Sequence, residues 1–168
     1  IAVGYGLDEI VNPITGETCA CFEPALDYVV TKVPRWPFDK FVTATRTLGT
    51  QMKATGEVMA IGRSFEESLL KAIDSLDVKL DYQLGMKSIA AWSDEAIENS
   101  LKNPDDERIF VVSEALERGY TVDEIFEITR IDKFFISKLL NILTIARELK
   151  SHTIDTLPVA LLKKCKRY

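Results

Sequence analysis

Histidine and cysteine are scarce in this 168-residue sequence, which contains one histidine and three cysteines: His152, Cys19, Cys21 and Cys165. With a single histidine, most schemes of acid–base catalysis would need carboxylates or lysines. Three cysteines are a poor disulfide framework, and the C-x-C pair alone has too few ligands for zinc. We therefore expect reduced structural thiols, as in cytosolic proteins, and no metal site.

Long apolar runs and phosphate-binding loops are also missing. No apolar run approaches the roughly 18 residues that a spanning helix needs, and no signal peptide is visible. The pattern G-x-x-x-x-G-K-[ST] does not occur. Gly4-Tyr5-Gly6 follows no predicted strand and lacks the third glycine of a dinucleotide site. These absences predict a cytoplasmic protein with no membrane partner and no cofactor site in these residues.

Basic charge is in deficit, since the formal net charge is −5. Nucleic acid binds basic surfaces, so we expect no such partner. Residues 121–140 have the outline of a DNA-reading helix-turn-helix, but three positions argue against it. Phe126 is large where the helices should cross closely, Arg130 stands where glycine is usual, and Lys133 is the one polar side chain at the start of the second helix. Base readout needs several polar side chains there.

Residues 1–76 predict a small mixed unit. A helix end, a glycine turn and a short helix from Leu7 are expected within residues 1–11. Residues 22–33 are predicted to form a strand, because the last part of this segment is β-branched and aromatic. Pro34 closes it, which is typical of an edge strand. The helical signal weakens after residue 76, so we predict a domain boundary near residue 77.

The second part of the chain, from residue 77 to residue 168, favours helices throughout. Ser93, Thr121 and Asp132 are predicted helix caps, and Gly119 suits the position after a helix end. The predicted helices cover about residues 93–102, 104–118, 121–128, 133–150 and 156–166. Short loops between them indicate an antiparallel cluster. The fold class is therefore mainly α: a helical cluster preceded by a small α+β tail.

Two charged runs have ordinary structural interpretations. Asp105-Asp106-Glu107 stands at a predicted helix N-terminus, where carboxylates suit the helix dipole. The basic residues between 163 and 167 are typical of a solvated face. We expect neither run to hold a metal or an anion.

The stretch of residues 50–64, TQMKATGEVMAIGRS, turns the chain from extended to helical. Gly56 and Gly62 bracket an apolar-rich run that predicts either a short strand or a buried extended turn, and periodicity does not choose between them. Ser64 and Glu67 form a predicted capping box, in which each side chain satisfies the other's backbone N–H group. A helix to about residue 76 follows.

A resemblance to a known family is carried by TQMKATGEVMAIGRSFEESLLKAI, which resembles the large subunit of carbamoyl-phosphate synthase. Three other stretches agree with the family in order. IAVGYGLDEIVNPITG is similar to the end of its first ATP-grasp unit, and ACFEPALDYVVTKVPRWPFDKF to the segment that follows. ERGYTVDEIFEITRIDKFFISKLL is similar to its helical oligomerisation domain. The match covers nearly the whole chain.

The resemblance implies that residues 1–76 are the C-terminal tail of the carboxyphosphate-forming ATP-grasp unit. Residues 77–168 would then be the oligomerisation domain, incomplete at its C-terminus. The parent protein would be an ATP-dependent carbon–nitrogen ligase of the cytoplasm, with ATP and Mg or Mn as cofactors. It would make carbamoyl phosphate from bicarbonate, glutamine-derived ammonia and two ATP, for pyrimidine and arginine synthesis.

In the family, the residues that bind ATP and metal lie outside this section. The section is therefore expected to be inactive by itself and to hold no cofactor. Its implied role is scaffolding and self-association, and its implied further partner is a glutaminase small subunit. A stand-alone helical adaptor domain is the alternative reading, and the flanking coding sequence would separate the two.

The resemblance also implies a role for Met52 and Glu57 in lining the internal passage of the carbamate intermediate. An unstable intermediate needs shielding from water, and a buried carboxylate beside a glycine offers a polar contact. A structural reading stays open for both residues. Met52 could fill a gap in the core, and Glu57 could pair with Lys53 or Arg63.

Overall fold

The structure, a computed structural model, describes residues 1–23, 25–38, 40–76 and 84–167. In these residues two strands come first, β1 (Val29–Arg35) and β2 (Gly56–Gly62). The helices that follow are α1 (Phe65–Asp74), α2 (Lys87–Ala90), α3 (Asp94–Lys102), α4 (Arg108–Glu117), α5 (Val122–Thr129), α6 (Lys133–Lys150) and α7 (Val159–Cys165). The predicted mainly α fold with a small α+β part is confirmed. The boundary predicted at residue 77 lies outside the described residues.

The first eleven residues form turns, so the helix end and the short helix predicted there are wrong. Gly4 has a φ of 99°, as the predicted glycine turn requires. From Leu7 the chain has only a few residues before it pairs at Val11 with Cys19 in an isolated antiparallel bridge. Such a short and exposed segment cannot recover the cost of starting a helix.

The two strands pair antiparallel, with Val29 opposite Gly62 at one end and Arg35 opposite Gly56 at the other. The run between the two glycines is therefore a strand rather than a turn. β1 begins later than predicted and continues through Pro34, which an edge strand tolerates because one side of its backbone needs no partner.

Helix α1 covers one face of this sheet. The Thr31 hydroxyl lies 2.6 Å from that of Ser68 across the contact. A Cβ on Gly62 would come within 2.8 Å of the Ser68 backbone nitrogen, so glycine is required where strand and helix meet. Alternate side chains point away from the helix, and of these Met59 and Ile61 are exposed.

The start of α1 departs from the predicted capping box. The Ser64 hydroxyl accepts the Glu67 N–H at 3.2 Å, as expected. The Glu67 carboxylate, however, accepts the N–H of Arg63 at 2.7 Å rather than that of Ser64. A hydrogen bond from Lys71, then the one from Arg63, lowers the pKa of Glu67 below its ordinary value. Strand β2 ends one residue before Arg63, so this residue's N–H is the one that needs an acceptor.

The caps predicted in the helical cluster are confirmed. Ser93 and Asp132 accept backbone N–H groups at the starts of α3 and α6. Thr121 and Glu124 form a complete capping box, and its hydrogen bonds lower the pKa of Glu124. Gly119 follows α4 with a φ of 95°. Helix α6 has the predicted bounds because an aspartate cap and a continuous apolar face mark its extent.

One buried core joins α1 to the helices after residue 84. It consists of Leu69, Ile73, Leu84, Ile89, Ile97, Leu101, Phe110, Val111, Val112, Ala115, Leu116, Ile125, Ile136, Leu139, Ile142 and Leu143. Because α1 contributes two of these side chains, it attaches the sheet firmly to the helical cluster. Phe135 on α6 is 44% exposed, and its ring lies edge-on to that of Phe65.

Candidate functional site

The QMK part of the 50–64 stretch is held as a loop by its lysine. The Lys53 ammonium donates to the carbonyl oxygens of Thr45 and Thr47, both at 2.7 Å. These two hydrogen bonds hold residues 50–55 against the preceding loop, and the chain then continues into β2. Lys53 is therefore occupied with backbone and is not the partner of Glu57.

Met52 is 91% exposed on this loop. It lines a shallow cavity of about 310 Å³ together with Phe41, Gln51 and five other residues. The interpretation of Met52 as a side chain that fills a gap in the core is therefore wrong. Glu57 does not line this cavity, so the described residues do not bring the two predicted passage residues into one enclosed space.

Glu57 lies on β2 and pairs across the sheet with Lys32, whose ammonium is 2.6 Å from Oε1. Lys53 and Arg63, the partners considered from sequence, do not form this ion pair. The Glu57 side chain is 56% exposed. The expectation of a buried carboxylate is therefore wrong for the part of the chain that the structure describes. The alternation of a strand sets this outcome, since Glu57 is on the face that α1 does not cover.

A larger cleft lies between two parts of the structure. One part is the end of β1 with the loop that joins it to β2, and the other is the helices. The volume of the cleft is about 830 Å³, and its lining is mostly apolar. The apolar walls come from three places: Trp36, Phe38 and Leu48 before β2; Phe65, Leu69, Ile73 and Leu76 on or just after α1; and Met86, Ile109, Ile131, Phe135 and Leu139 in the helical cluster. We call this space the cleft. It is of the size at which proteins receive ligands or side chains of a partner.

One end of the cleft is polar and internally paired. Arg46 donates to both carboxylate oxygens of Asp106, at 2.8 and 2.9 Å, and lies 3.0 Å from Glu107. The hydrogen bond to Asp106 is the main cause that raises the pKa of Arg46. The Leu48 N–H donates to the Pro104 carbonyl at 2.8 Å. The loop before β2 is thus fastened to the approach of α4.

The acidic run at 105–107 therefore has a different role from the one predicted. Helix α4 begins at Arg108, so the carboxylates precede its first turn, and two of them bind Arg46. Burial raises the pKa of the third, Asp105. No sequence signal points to Arg46 as their partner, because 60 residues separate it from Asp106.

A buried carboxylate between α1 and α6 was also missed from sequence. Glu66 is 1% exposed, and its Oε1 accepts from the Asn141 amide at 2.9 Å and lies 3.2 Å from the Lys138 ammonium. In the sequence Glu66 looks like an ordinary first-turn acid of α1. Only the packing of α6 against this turn buries it.

An aromatic cluster borders the cleft beside this carboxylate. The Phe135 ring lies edge-on to Phe65 at 5.2 Å and to Phe134 at 5.3 Å between centroids. Lys138 lies 5.3 Å above the Phe134 ring, a cation–π distance. Phe134 is exposed, so this edge of the cleft presents apolar surface outward.

The described residues contain no group of three or more His, Cys, Asp or Glu side chains placed to hold a metal ion. Among their helices, none is both long and apolar enough to cross a membrane. The described thiols are unpaired: Cys19 and Cys165 are half-buried and Cys21 is exposed.

Comparison with known proteins shows which family this chain resembles. A family model described as the carbamoyl-phosphate synthetase large chain, oligomerisation domain, matches residues 57–168. The carbamoyl phosphate synthase large chain of Thermoanaerobacter sp. (strain X514) is 55% identical over 167 residues. That of Thermoanaerobacter pseudethanolicus (strain ATCC 33223 / 39E) is 56% identical over the same length. Each alignment covers 99% of this chain, and the chain spans about 15% of the length of these relatives.

Proposed function

The chain belongs to the family of carbamoyl-phosphate synthetase large chains, and from this premise we propose that it is a scaffolding and self-associating section of an ATP-dependent carbon–nitrogen ligase. The enzyme would make carbamoyl phosphate from bicarbonate, glutamine-derived ammonia and two ATP, in the cytoplasm, for pyrimidine and arginine synthesis. The observation that carries the proposal is the match of the oligomerisation-domain model to residues 57–168.

Self-association needs an uncovered apolar surface, and α7 has one. Val159 is 67% exposed, and Leu162, one turn later on the same side, is also exposed, while Leu161 faces the core. Exposed apolar positions at helical spacing favour pairing with another helix. We therefore propose the Val159 and Leu162 face of α7 as a contact between copies.

Val159→Glu in the full-length large chain is expected to weaken self-association by about tenfold or more, because it places a charge in an apolar contact. Val159 is the first residue of α7, where a carboxylate suits the helix dipole, so the fold should be kept. Sedimentation velocity over a series of protein concentrations measures the change.

Ala160→Glu is the matched control. It adds the same charge in the same helical turn, at an exposed position on another side of α7, and should leave the sedimentation profile unchanged. Equal profiles for Val159→Glu and the unmodified protein would show that this face takes no part in association.

We propose ATP and Mg or Mn as the cofactors of the enzyme. The described residues contain no group of three or more His, Cys, Asp or Glu side chains placed to hold a metal ion. We propose that nucleotide and metal bind elsewhere in the large chain, that the section alone is inactive, and that a glutaminase small subunit is the further partner.

We also propose that Met52 and Glu57 line the passage of the carbamate intermediate in the complete enzyme. Both side chains are exposed in these residues, which leaves them available to face another part of the large chain. The Lys32 partner keeps the Glu57 carboxylate anchored on the sheet at 2.6 Å. A charged pair at that position can hold a polar intermediate by hydrogen bonds once water is excluded.

Glu57→Gln in the complete enzyme is expected to lower overall carbamoyl phosphate synthesis by about tenfold or more. Each ATP-dependent partial reaction should keep its rate, because the passage lies between the reaction centres and not in them. Assaying the overall and the two partial reactions side by side separates these effects. Glu98→Gln, an exposed carboxylate on α3 that also pairs with a lysine, is the control. Equal loss in a partial reaction would contradict a passage role.

A further inference from the structure

We propose that the cleft is a socket for an apolar segment that comes from a part of the large chain outside these 168 residues. This inference rests on the proposed function, because it takes the chain to be a section of a longer polypeptide. It concerns a different surface from the α7 face, and its occupant is the same molecule rather than a second copy.

The walls of the cleft favour an apolar occupant. Trp36 and Phe38 lie on one side, and Phe65 and Phe135 on the other, around a volume of about 830 Å³. That volume is room for several large side chains. Uncovered apolar surface of this kind is costly in water and typically marks a contact.

The charges at the cleft do not call for an ionic ligand. Arg46 is fully engaged by Asp106 and Glu107. Arg108 donates to the Thr129 carbonyl at 3.1 Å, and its Nε is buried without a partner among the described residues. Because that Nε is buried, it offers no donor to an ionic ligand that enters the cleft.

The position of the cleft points to the same chain as the source of that segment. The oligomerisation-domain model begins at residue 57, whereas Trp36, Phe38 and Leu48 on one wall precede it. The cleft therefore lies where this domain joins the part of the large chain before it. The chain spans about 15% of its relatives, so most of such a polypeptide is tethered close by at high effective concentration.

Thiol accessibility in the full-length large chain tests the socket. Leu48→Cys and Met86→Cys place thiols at half-buried positions on two walls of the cleft, and Val122→Cys places one at an equally half-buried position at the start of α5, which does not line the cleft. We expect a maleimide to react about tenfold or more slowly at both wall positions than at position 122, as peptide mass spectrometry would measure. Two wall variants guard against a local effect of either substitution.

Protection that persists on dilution to the monomer supports the socket. Protection that is lost on dilution would assign the cleft to a second copy, and equal rates at all three positions would show an open cleft. Either result overturns the inference. The Val159→Glu sedimentation experiment is independent, so a failure of self-association and a failure of the socket can be told apart.

Discussion

Asn141→Leu is expected to lower the free energy of unfolding by about 3 kcal/mol, since it removes the amide donor from a buried carboxylate. Glu66 is 1% exposed, and Asn141 supplies a hydrogen bond at 2.9 Å to its Oε1. The Lys138 ammonium remains at 3.2 Å from Oε1. Its side chain, however, is partly exposed, and this contact reaches one of the two carboxylate oxygens. Urea unfolding followed by circular dichroism measures the change.

The double variant Glu66→Leu with Asn141→Leu is compared with each single variant. When both polar groups are replaced, no buried charge is left unpaired, so the double variant should be more stable than Asn141→Leu alone. A double-mutant cycle then gives a coupling energy of about 1 kcal/mol or more. Strict additivity of the two single changes would mean that the pair does not interact in solution.

Ile136→Ala is expected to cost about 3 to 4 kcal/mol, the second large effect. Ile136 is fully buried in the core between α6 and its neighbours. Truncating such a side chain removes apolar burial and leaves a cavity that the packed helices fill only in part. Thermal and urea unfolding should both show the loss.

Ser137→Ala is the neighbouring control on the exposed side of α6 and should change stability by about 0.5 kcal/mol or less. A loss below about 1 kcal/mol for Ile136→Ala would contradict the close packing of α6 against the core.

Both predictions concern the contact between α1 and α6. Helix α1 connects the sheet to the helical cluster, and Glu66 and the core residues hold α1 against α6. Strand β2, which carries Glu57, leads directly into α1. We therefore expect that loosening the contact of α1 with α6 would also shift the strand and the walls of the cleft.

Local signals account for what could be predicted about the helices. The caps at Ser93, Thr121 and Asp132 act within three residues of themselves, so their hydrogen bonds can be read from the chain alone. Arg130 shows where that reasoning ends. It takes the left-handed conformation usual for glycine, with a φ of 58°, although the arginine itself argued against such a turn at this position.

The candidate site was less predictable than the fold. The family resemblance singled out Met52 and Glu57, but their exposure and the Lys32 pairing depend on strand register. The cleft and its Arg46 contacts bring together residues about 60 positions apart. Pairings at that separation leave no periodicity or spacing in the sequence.

By itself, the amino-acid sequence determined the family, the mainly α class and the ends of helices such as α6, because caps and apolar faces act over a few residues. Only the tertiary structure decided that Glu66 is buried, that Glu57 is exposed on the sheet and that a cleft lies between the loop before β2 and the helices. Each of these depends on which surface of one element meets another. That choice is made by the packing of the whole chain.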